Sequence, residues 1–295
     1  MKTLKGLLIF ALLLQYACRE KADQADAYGN FEATEVIVSS ETSGKIRQFN
    51  FKEGMPVERD DLIALVDTAV FHLQKEELNA GIRSISTKVS SINAQNEIIS
   101  QQISNLKTDL ARIENMLRND AATQKQYDDL KGQMAVLEKQ IAANNTQKTS
   151  VAAELEVYRS KKATLNEQIS RCFIRSPIKG TLIEKYAEEG EVTVAGKPVA
   201  KVADLSVIKL RAYVSGSIIS SLKIGEQCTV RTDDGKKGYK TFSGTISHIA
   251  EKAEFTPKII QTKEERVLLV YAVLIDVLND GSLKAGMPGE VIFTK

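Results

Sequence analysis

The sequence predicts an elongated, modular α+β chain: a β-rich unit split in two by an antiparallel α-helical coiled-coil hairpin, followed by a small antiparallel β-barrel. Three observations carry this prediction. Apolar residues recur at alternating steps of three and four from Leu78 to Cys172. Short β-rich runs punctuated by Gly and Pro appear in the same order on either side of that stretch. From Val207 onward, apolar and polar residues alternate between turn signals, as antiparallel strands require.

The chain begins with an address. Lys2 and Lys5 precede the apolar run Gly6 to Leu14, which is far shorter than the ~20 residues needed to span a bilayer but suits a signal-peptide core. Gln15-Tyr16-Ala17-Cys18 then resembles the cleavage site of bacterial lipoproteins, with a small residue directly before a Cys, although Gln15 and Tyr16 depart from the usual pattern. The resemblance implies lipid attachment at Cys18, after a signal peptide over 1–18. Residues 19–34, charged and poor in large apolar side chains as far as Asn30, read as a tether.

Next come the runs Glu35–Ser40, Ser43–Phe49, Lys52–Val57 and Leu62–Asp67, giving a first β half over 35–68. Lys179–Ile183, Glu188–Val192 and Gly196–Asp204 repeat the order within a second half over 173–206. Gly44 and Gly54 stand as far apart as Gly180 and Gly190, and each half closes on an Asp, Asp67 or Asp204. The segments read as halves of one domain.

Between them the heptad pattern predicts the hairpin, over 69–172 with its tip near 118–124. One seam runs Leu78, Ile82, Ile85, Val89, Ile92, Ile99, Ile103, Leu106, Leu110, Ile113 and Leu117. A second runs from Tyr127 through Leu130, Met134, Leu137 and Ile141 to Ile169. Sustained over several heptads, such spacing marks helices wound around each other. The polar interval from Arg118 to Gln124 suits a tight reversal. A turn centred on Asp120 sets Ile113 against Tyr127, Leu106 against Met134, Ile99 against Ile141, and Asn96 against Asn144. Two seam asparagines in one layer sacrifice stability but penalise slipped registers. Lys148 and Lys162 oppose Ile92 and Leu78, their ammonium groups reaching outward. At 1.5 Å per residue each helix spans roughly 70 Å. Asp67 or Thr68 can cap the first helix. Pro177, which biases Ser176 toward extended backbone, marks the return to strand.

The remainder, 207–295, divides into strands at Ile208–Val214, Gln227–Arg231, Phe242–Ala250, Val267–Leu278 and Gly289–Thr294, with a short helix near Ile218–Leu222. Asp233-Asp234-Gly235 and Asn279-Asp280-Gly281 supply the turns.

Composition excludes several functions. Lys plus Arg (40) nearly balances Asp plus Glu (38), so no global field favours nucleic acid. His72 and His248 are a poor start for a metal site. Cys172 and Cys228 have neither CxxC nor metal spacing and read as two buried thiols. No GxSxG, HExxH or Gly-rich loop before a helix is present, so the chain is read as no enzyme.

The two halves, each with a Glu-Gly turn, a Val and an aliphatic strand, resemble the biotinyl/lipoyl flattened barrel. Carriers of that fold display an acylated lysine on the turn joining the halves. Here Asp67-Thr68-Ala69-Val70 and the hairpin replace it, so no cofactor is implied. A lipoyl-like domain interrupted by a coiled-coil hairpin behind a lipoprotein signal resembles the HlyD-type membrane fusion, or periplasmic adaptor, family. Ser176-Pro177-Ile178-Lys179-Gly180 resembles that family's entry to the second half, and Leu283 to Val291 resembles its barrel. Phe255–Lys258 with Gln261–Arg266 looks most like adaptors of ABC-type exporters. The end of the chain at Lys295, directly after a strand, points the same way, since adaptors of RND pumps usually continue further.

The resemblance implies a non-catalytic periplasmic subunit held to the inner membrane by lipid and forming a homo-oligomer, by family habit a hexamer. Its partners would be an inner-membrane ABC permease and ATPase and a TolC-type outer-membrane channel. The family's tip motif places an Arg, a Leu four residues later and a Ser seven beyond that. Arg112, Met116 and Thr123 occupy those positions, Met and Thr being departures, and Gln126-Tyr127-Asp128 resembles the flank. Two alternatives remain at this level: an adaptor of an RND-type pump, and a structural coiled-coil lipoprotein of the envelope.

Overall fold

A computed structural model describes residues 25–235, 238–255 and 269–293. The first half contains β1 (Ala27–Ser39), β2 (Gly44–Phe49), β3 (Pro56–Val57) and β4 (Leu62–Val66). Helices α1 (Ala69–Arg118) and α2 (Gln124–Ser170) follow. The chain continues through β5 (Phe173–Arg175), β6 (Gly180–Lys185), β7 (Val192–Thr193) and β8 (Pro198–Ser215). After the short α3 (Gly216–Ile219) come β9 (Gln227–Asp233), β10 (Tyr239–Ile249), β11 (Glu254–Phe255), β12 (Leu269–Leu278) and β13 (Pro288–Phe293). The architecture is the α+β arrangement expected, with a split β unit, an inserted helical hairpin and a barrel.

Two long strands organise the β structure. The outer part of β1 pairs with β13 on one side and β8 on the other, and β8 pairs in turn with β12. Pairing of β12 with β10, β10 with β9 and β9 with β13 closes an antiparallel ring. Phe31, Ile208, Leu210, Val230, Ile246, Ile275 and Leu283 fill it. The expected tether over 19–34 is therefore corrected from Ala27 onward. Ala27 and Phe31 point into the barrel, each 1% exposed. Gly29 between them leaves room for the neighbouring backbone, because a Cβ there would lie 1.9 Å from the Arg211 carbonyl oxygen. A strand carrying so few large apolar residues has little hydrophobic signal. Its hydrogen bonds to two neighbours hold it instead.

Further along, β1 and β8 leave the barrel and enter a sandwich. One layer joins their inner parts to β6 and β3, and the other has the order β5-β4-β2-β7. The passage is marked by a bulge: Glu32 faces Lys209, but Thr34 faces Asp204. The Asp204 carboxylate accepts from the Ser206 amide and hydroxyl. Asn279 pins the bulge, its side-chain amide donating to the Leu205 and Leu283 carbonyls and its oxygen accepting from the Gly281 and Leu283 amides. All the hydrogen-bonding capacity of that side chain is thereby used.

The sandwich core is Ile46, Ile63, Val66, Leu182, Val199 and Val202, each fully buried. Its bonds repeat about a local twofold at one constant spacing, that between Gly54 and Gly190. The Gly54 amide donates to Leu182 and the Gly190 amide to Ile46. The Asp60 amide donates to Ser176 and the Gly196 amide to Ser40. Ser40 and Ser176, each 1% exposed, donate through Oγ to the carbonyls of Thr42 and Ile178. Gly54 and Gly190 turn with φ of 85° and 93°, the left-handed region that favours glycine. Cys172 and Cys228 are buried and free. Burial raises both thiols above their ordinary range, Cys228 to about 11.

Candidate docking site at the hairpin tip

The hairpin is rooted in the sandwich. Asp67 Oδ1 accepts from the Ala69 amide at 3.0 Å, while Oδ2 meets Arg47 at 2.6 Å. The Ala69 amide first, and Arg47 after it, hold the Asp67 carboxyl below the usual carboxylate range. Thr68 occupies the N-cap position without a side-chain bond. At the return, the Cys172 carbonyl accepts from the Val66 amide at 2.9 Å, so both ends of the insertion close on β4.

Along the seam α1 buries Ile85, Ile92, Ile99 and Ile103, whereas α2 buries only Leu165. Between Ile92 and Ile99 lies a polar layer. Asn144 donates to Asn96 Oδ1 at 2.9 Å, and Asn96 donates to Asn145 Oδ1 at 3.0 Å. Beyond Ile103 the seam is half-buried as far as Leu117 and Tyr127.

At the apex both helices end in closed hydrogen-bond motifs. The Ala121 amide reaches the Met116 carbonyl at 2.8 Å and the Asp120 amide reaches Leu117 at 3.2 Å. This is the pair of bonds by which helices commonly end, around a residue in left-handed conformation. That residue is Asp120, with φ 54°. On the other side Thr123 caps α2. Its Oγ1 accepts from the Gln126 amide, and Gln126 Oε1 accepts from the Thr123 amide at 2.9 Å. A Thr followed three residues later by Gln is the sequence signature of this box.

The residues singled out by sequence come together unevenly. Met116, 39% exposed, and Thr123 flank the loop. Arg112 lies six residues before the helix end, roughly 9 Å down the helix. It faces solvent at 3.3 Å from Asp109. Thr123 Oγ1 is engaged in the cap, so turn chemistry already occupies the hydroxyl. Arg118 donates to Asn115, and Asn119 Nδ2 donates to the Asn115 carbonyl. Sequence reasoning did not single out Asp120 as a site residue, although it placed the turn there. An Asp directly after a helical pattern is a signal for left-handed backbone. Cys18 and most of the run from Phe255 to Arg266 lie outside the described residues. Among the described residues no group of His, Cys, Asp and Glu could hold a metal ion. No helix among them is long and apolar enough to cross a membrane.

Residues 34–205 match the family model described as the barrel-sandwich hybrid domain of RND membrane fusion proteins. A UPF0194 membrane protein from the asrC 5′ region of Acidithiobacillus ferridurans is 24% identical over 316 residues, covering 97% of this chain and 91% of its own. A UPF0194 membrane protein of Yersinia enterocolitica is also 24% identical, over 100% of this chain and 98% of its own. Among solved structures, MacA from Actinobacillus actinomycetemcomitans superposes with a TM-score of 0.62 at 19% identity. That match covers 90% of this chain and 76% of MacA, and it shows a shared fold.

Proposed function

The chain belongs to the membrane fusion protein family, and from that premise we propose that it is a non-catalytic periplasmic adaptor. It links an inner-membrane exporter of ABC type to a TolC-type outer-membrane channel. The observation that carries this reading is the hairpin: helices of 50 and 47 residues leave and re-enter one sandwich. They place a closed, polar loop roughly 70 Å from the β domains. A lever of that length with no catalytic group along it is a bridge. The closed barrel and the sandwich supply the surface for an exporter, and the tip supplies the surface for a channel. Arg112 offers guanidinium donors to carbonyls or carboxylates of the channel. Met116 offers a deformable apolar side chain to a groove. The lipid on Cys18 holds the chain only locally, so contacts with the exporter and with neighbouring protomers in a ring of six supply the remaining attachment.

Affinity purification of the full chain from its own membranes tests this reading. A permease and an outer-membrane channel are expected to co-purify. Deleting matched heptads on either side of Asp120 is expected to lose the channel and keep the permease. Recovery of the channel without the hairpin end would overturn the bridging role. ATP hydrolysis by an ATPase that co-purifies with the permease, altered when the adaptor is removed, identifies the ABC type. An RND permease in its place would carry the second reading, which the RND designation of the matching family model favours. Cys18→Ser is expected to release the chain into the soluble periplasmic fraction.

A further inference from the structure

Two-stranded coiled coils keep charge on the face turned away from the seam, because that face meets water. Both helices of the hairpin depart from this habit. Ile98 on α1 stands one residue before the seam residue Ile99, and Val136 and Val157 on α2 stand one before Leu137 and Tyr158. Such positions point away from the other helix, and the three side chains are 63%, 67% and 52% exposed. Between Arg83 and Arg112 the outward face of α1 carries one further charge, Glu97. Between Asp129 and Glu156 the outward face of α2 likewise carries one, Lys139. Small, hydroxyl and amide side chains make up most of the rest.

These charges, all exposed, stand in a definite order. The bond from Asn144 to Asn96 sets the level of one helix against the other. Counted from it, Arg83 is level with Glu156, and Arg112 with Asp128 and Asp129, each to within one residue. Glu97 and Lys139 lie about one turn apart in level. Towards the tip α1 therefore reads plus, minus, plus, where α2 reads minus, plus, minus. Within one hairpin the two outward faces look in opposite directions and cannot meet. Among the described residues, Arg112 pairs with Asp109 and Glu156 with Arg159, both inside a single helix, and no ion pair links α1 to α2. Arg83, Glu97 and Lys139 form none there.

We propose that the outward face of α1 packs against the outward face of α2 in a second copy of this chain, at equal height and over about 45 Å. A rotation about an axis parallel to the hairpin moves nothing along it, so a second copy brings equal levels together without adjustment. All three charges on α1 then face their opposites. Packing α1 on α1, or α2 on α2, would set Arg against Arg and Glu against Glu at those same levels, which is penalised. The contact thus joins unlike faces, and repeated from copy to copy it makes a ring where the rotation closes. Burial of Ile98, Val136 and Val157 supplies attraction. The charges fix level and polarity rather than strength, since exposed ion pairs are individually weak. Arg112 has five donors, so a bond to the next copy leaves others for a channel. This rests on the ring of protomers in the adaptor reading above and names where they meet.

The test uses the full-length protein in the membranes of its own cell. Thr87 and Ala153 are level with each other on the two outward faces, roughly 15 Å apart across their own hairpin. With Thr87→Cys and Ala153→Cys together, a bismaleimide too short for that span is expected to join copies into a ladder of multimers. Either substitution alone is expected to give none, and a dimer from Thr87→Cys alone would overturn the pairing of unlike faces. In the two-cysteine background, Arg83→Glu with Glu97→Lys is expected to reduce the ladder about fivefold, as is Glu156→Lys with Lys139→Glu. All four together are expected to restore it. Helicity by circular dichroism, unchanged in each variant, separates lost contact from lost folding. Reversals without effect, a loss that the fourfold variant does not restore, or no ladder at all would each overturn the proposal. Co-purification of permease and channel from the same membranes tests the adaptor reading separately. A ladder without either partner overturns that reading and keeps the interface, whereas both partners without a ladder overturn the interface alone.

Discussion

Between Ser40 and Asp67, and again between Ser176 and Ala203, the chain folds the same half-sandwich, and the copies differ at a few informative positions. Their shared bonds are mostly backbone bonds, made at turns whose spacing is conserved between the halves. The differences follow from what each half leads into. The first half ends on Asp67, whose carboxylate starts a helix; the second has Ala203 there and runs on as β8 into the barrel. Buried Val57 in one half stands where buried Thr193 stands in the other. Phe49 and Lys185, also equivalent, meet each other, with the ammonium 4.2 Å from the ring centroid. A repeated backbone frame thus tolerates divergent side chains, and the asymmetry that matters is where the chain exits.

The most severe way to break the comparison is to empty its centre. Ile46→Ala and Leu182→Ala remove equivalent, fully buried side chains. Each is expected to cost about 2–5 kcal/mol, with the two values close to one another in urea titrations of the full chain. A much milder effect in one half would mean that the halves do not share a core. A smaller effect is expected at the Val57 and Thr193 pair. Thr193 Oγ1 is buried without a hydrogen-bond partner. Thr193→Val should therefore stabilise by about 1–3 kcal/mol, and Val57→Thr should destabilise by a similar amount. At the turn pair the expected change is smaller again. Gly196→Asp should change stability by less than about 1 kcal/mol, because strain in the left-handed backbone is offset by reduced freedom of the unfolded chain. Asp60→Gly should change little, since relief of the backbone is offset by greater freedom of the unfolded chain.

The mildest comparison concerns the exits. Asp67→Ala gives the first half the residue that the second half carries at this point, and it is expected to fray the first turn of α1, seen as faster hydrogen exchange at the Ala69 amide. The wild-type protein should show the same fraying in acid. Because the Asp67 carboxyl is lowered in the folded state, its stabilising contribution is present above the ordinary carboxylate pKa and is lost as pH falls through the lowered value. The variant should lack that acid-dependent step.

Much of this was legible in sequence for a physical reason. A 3.5-residue repeat survives any substitution that keeps a side chain apolar, so the hairpin announces itself from Leu78 to Ile169. Equal glycine spacings disclosed the two halves because Gly54 and Gly190 stand at left-handed turns, while a Cβ at Gly44 or Gly180 would collide with Val66 or the Ala203 carbonyl. The beginning of β1 was not legible: Gly29 and two inward residues, Ala27 and Phe31, give almost no hydrophobic pattern. Nor was the continuity of β8, since the bulge after Asp204 shifts which residues face inward and splits one strand into two apparent runs. At the tip the positions of Arg112, Met116 and Thr123 could be read by counting. That the Thr123 hydroxyl is occupied, and that Asp120 is not, depends on which groups the folded loop leaves unpaired.

The continuity of β1 and β8 through both β domains has a mechanical side. Two hydrogen-bonded strands, not a flexible linker, join the barrel to the sandwich, and Asn279 ties the bulge at the passage between the two domains to the turn after β12. Torque applied to the barrel is therefore carried into the sandwich, which holds both hairpin roots. With an arm of roughly 70 Å, a rotation of the joined β domains by about 10° would sweep the tip sideways by roughly 12 Å, about the diameter of one helix. Small rotations of the rigidly joined base thus become large displacements at the far end.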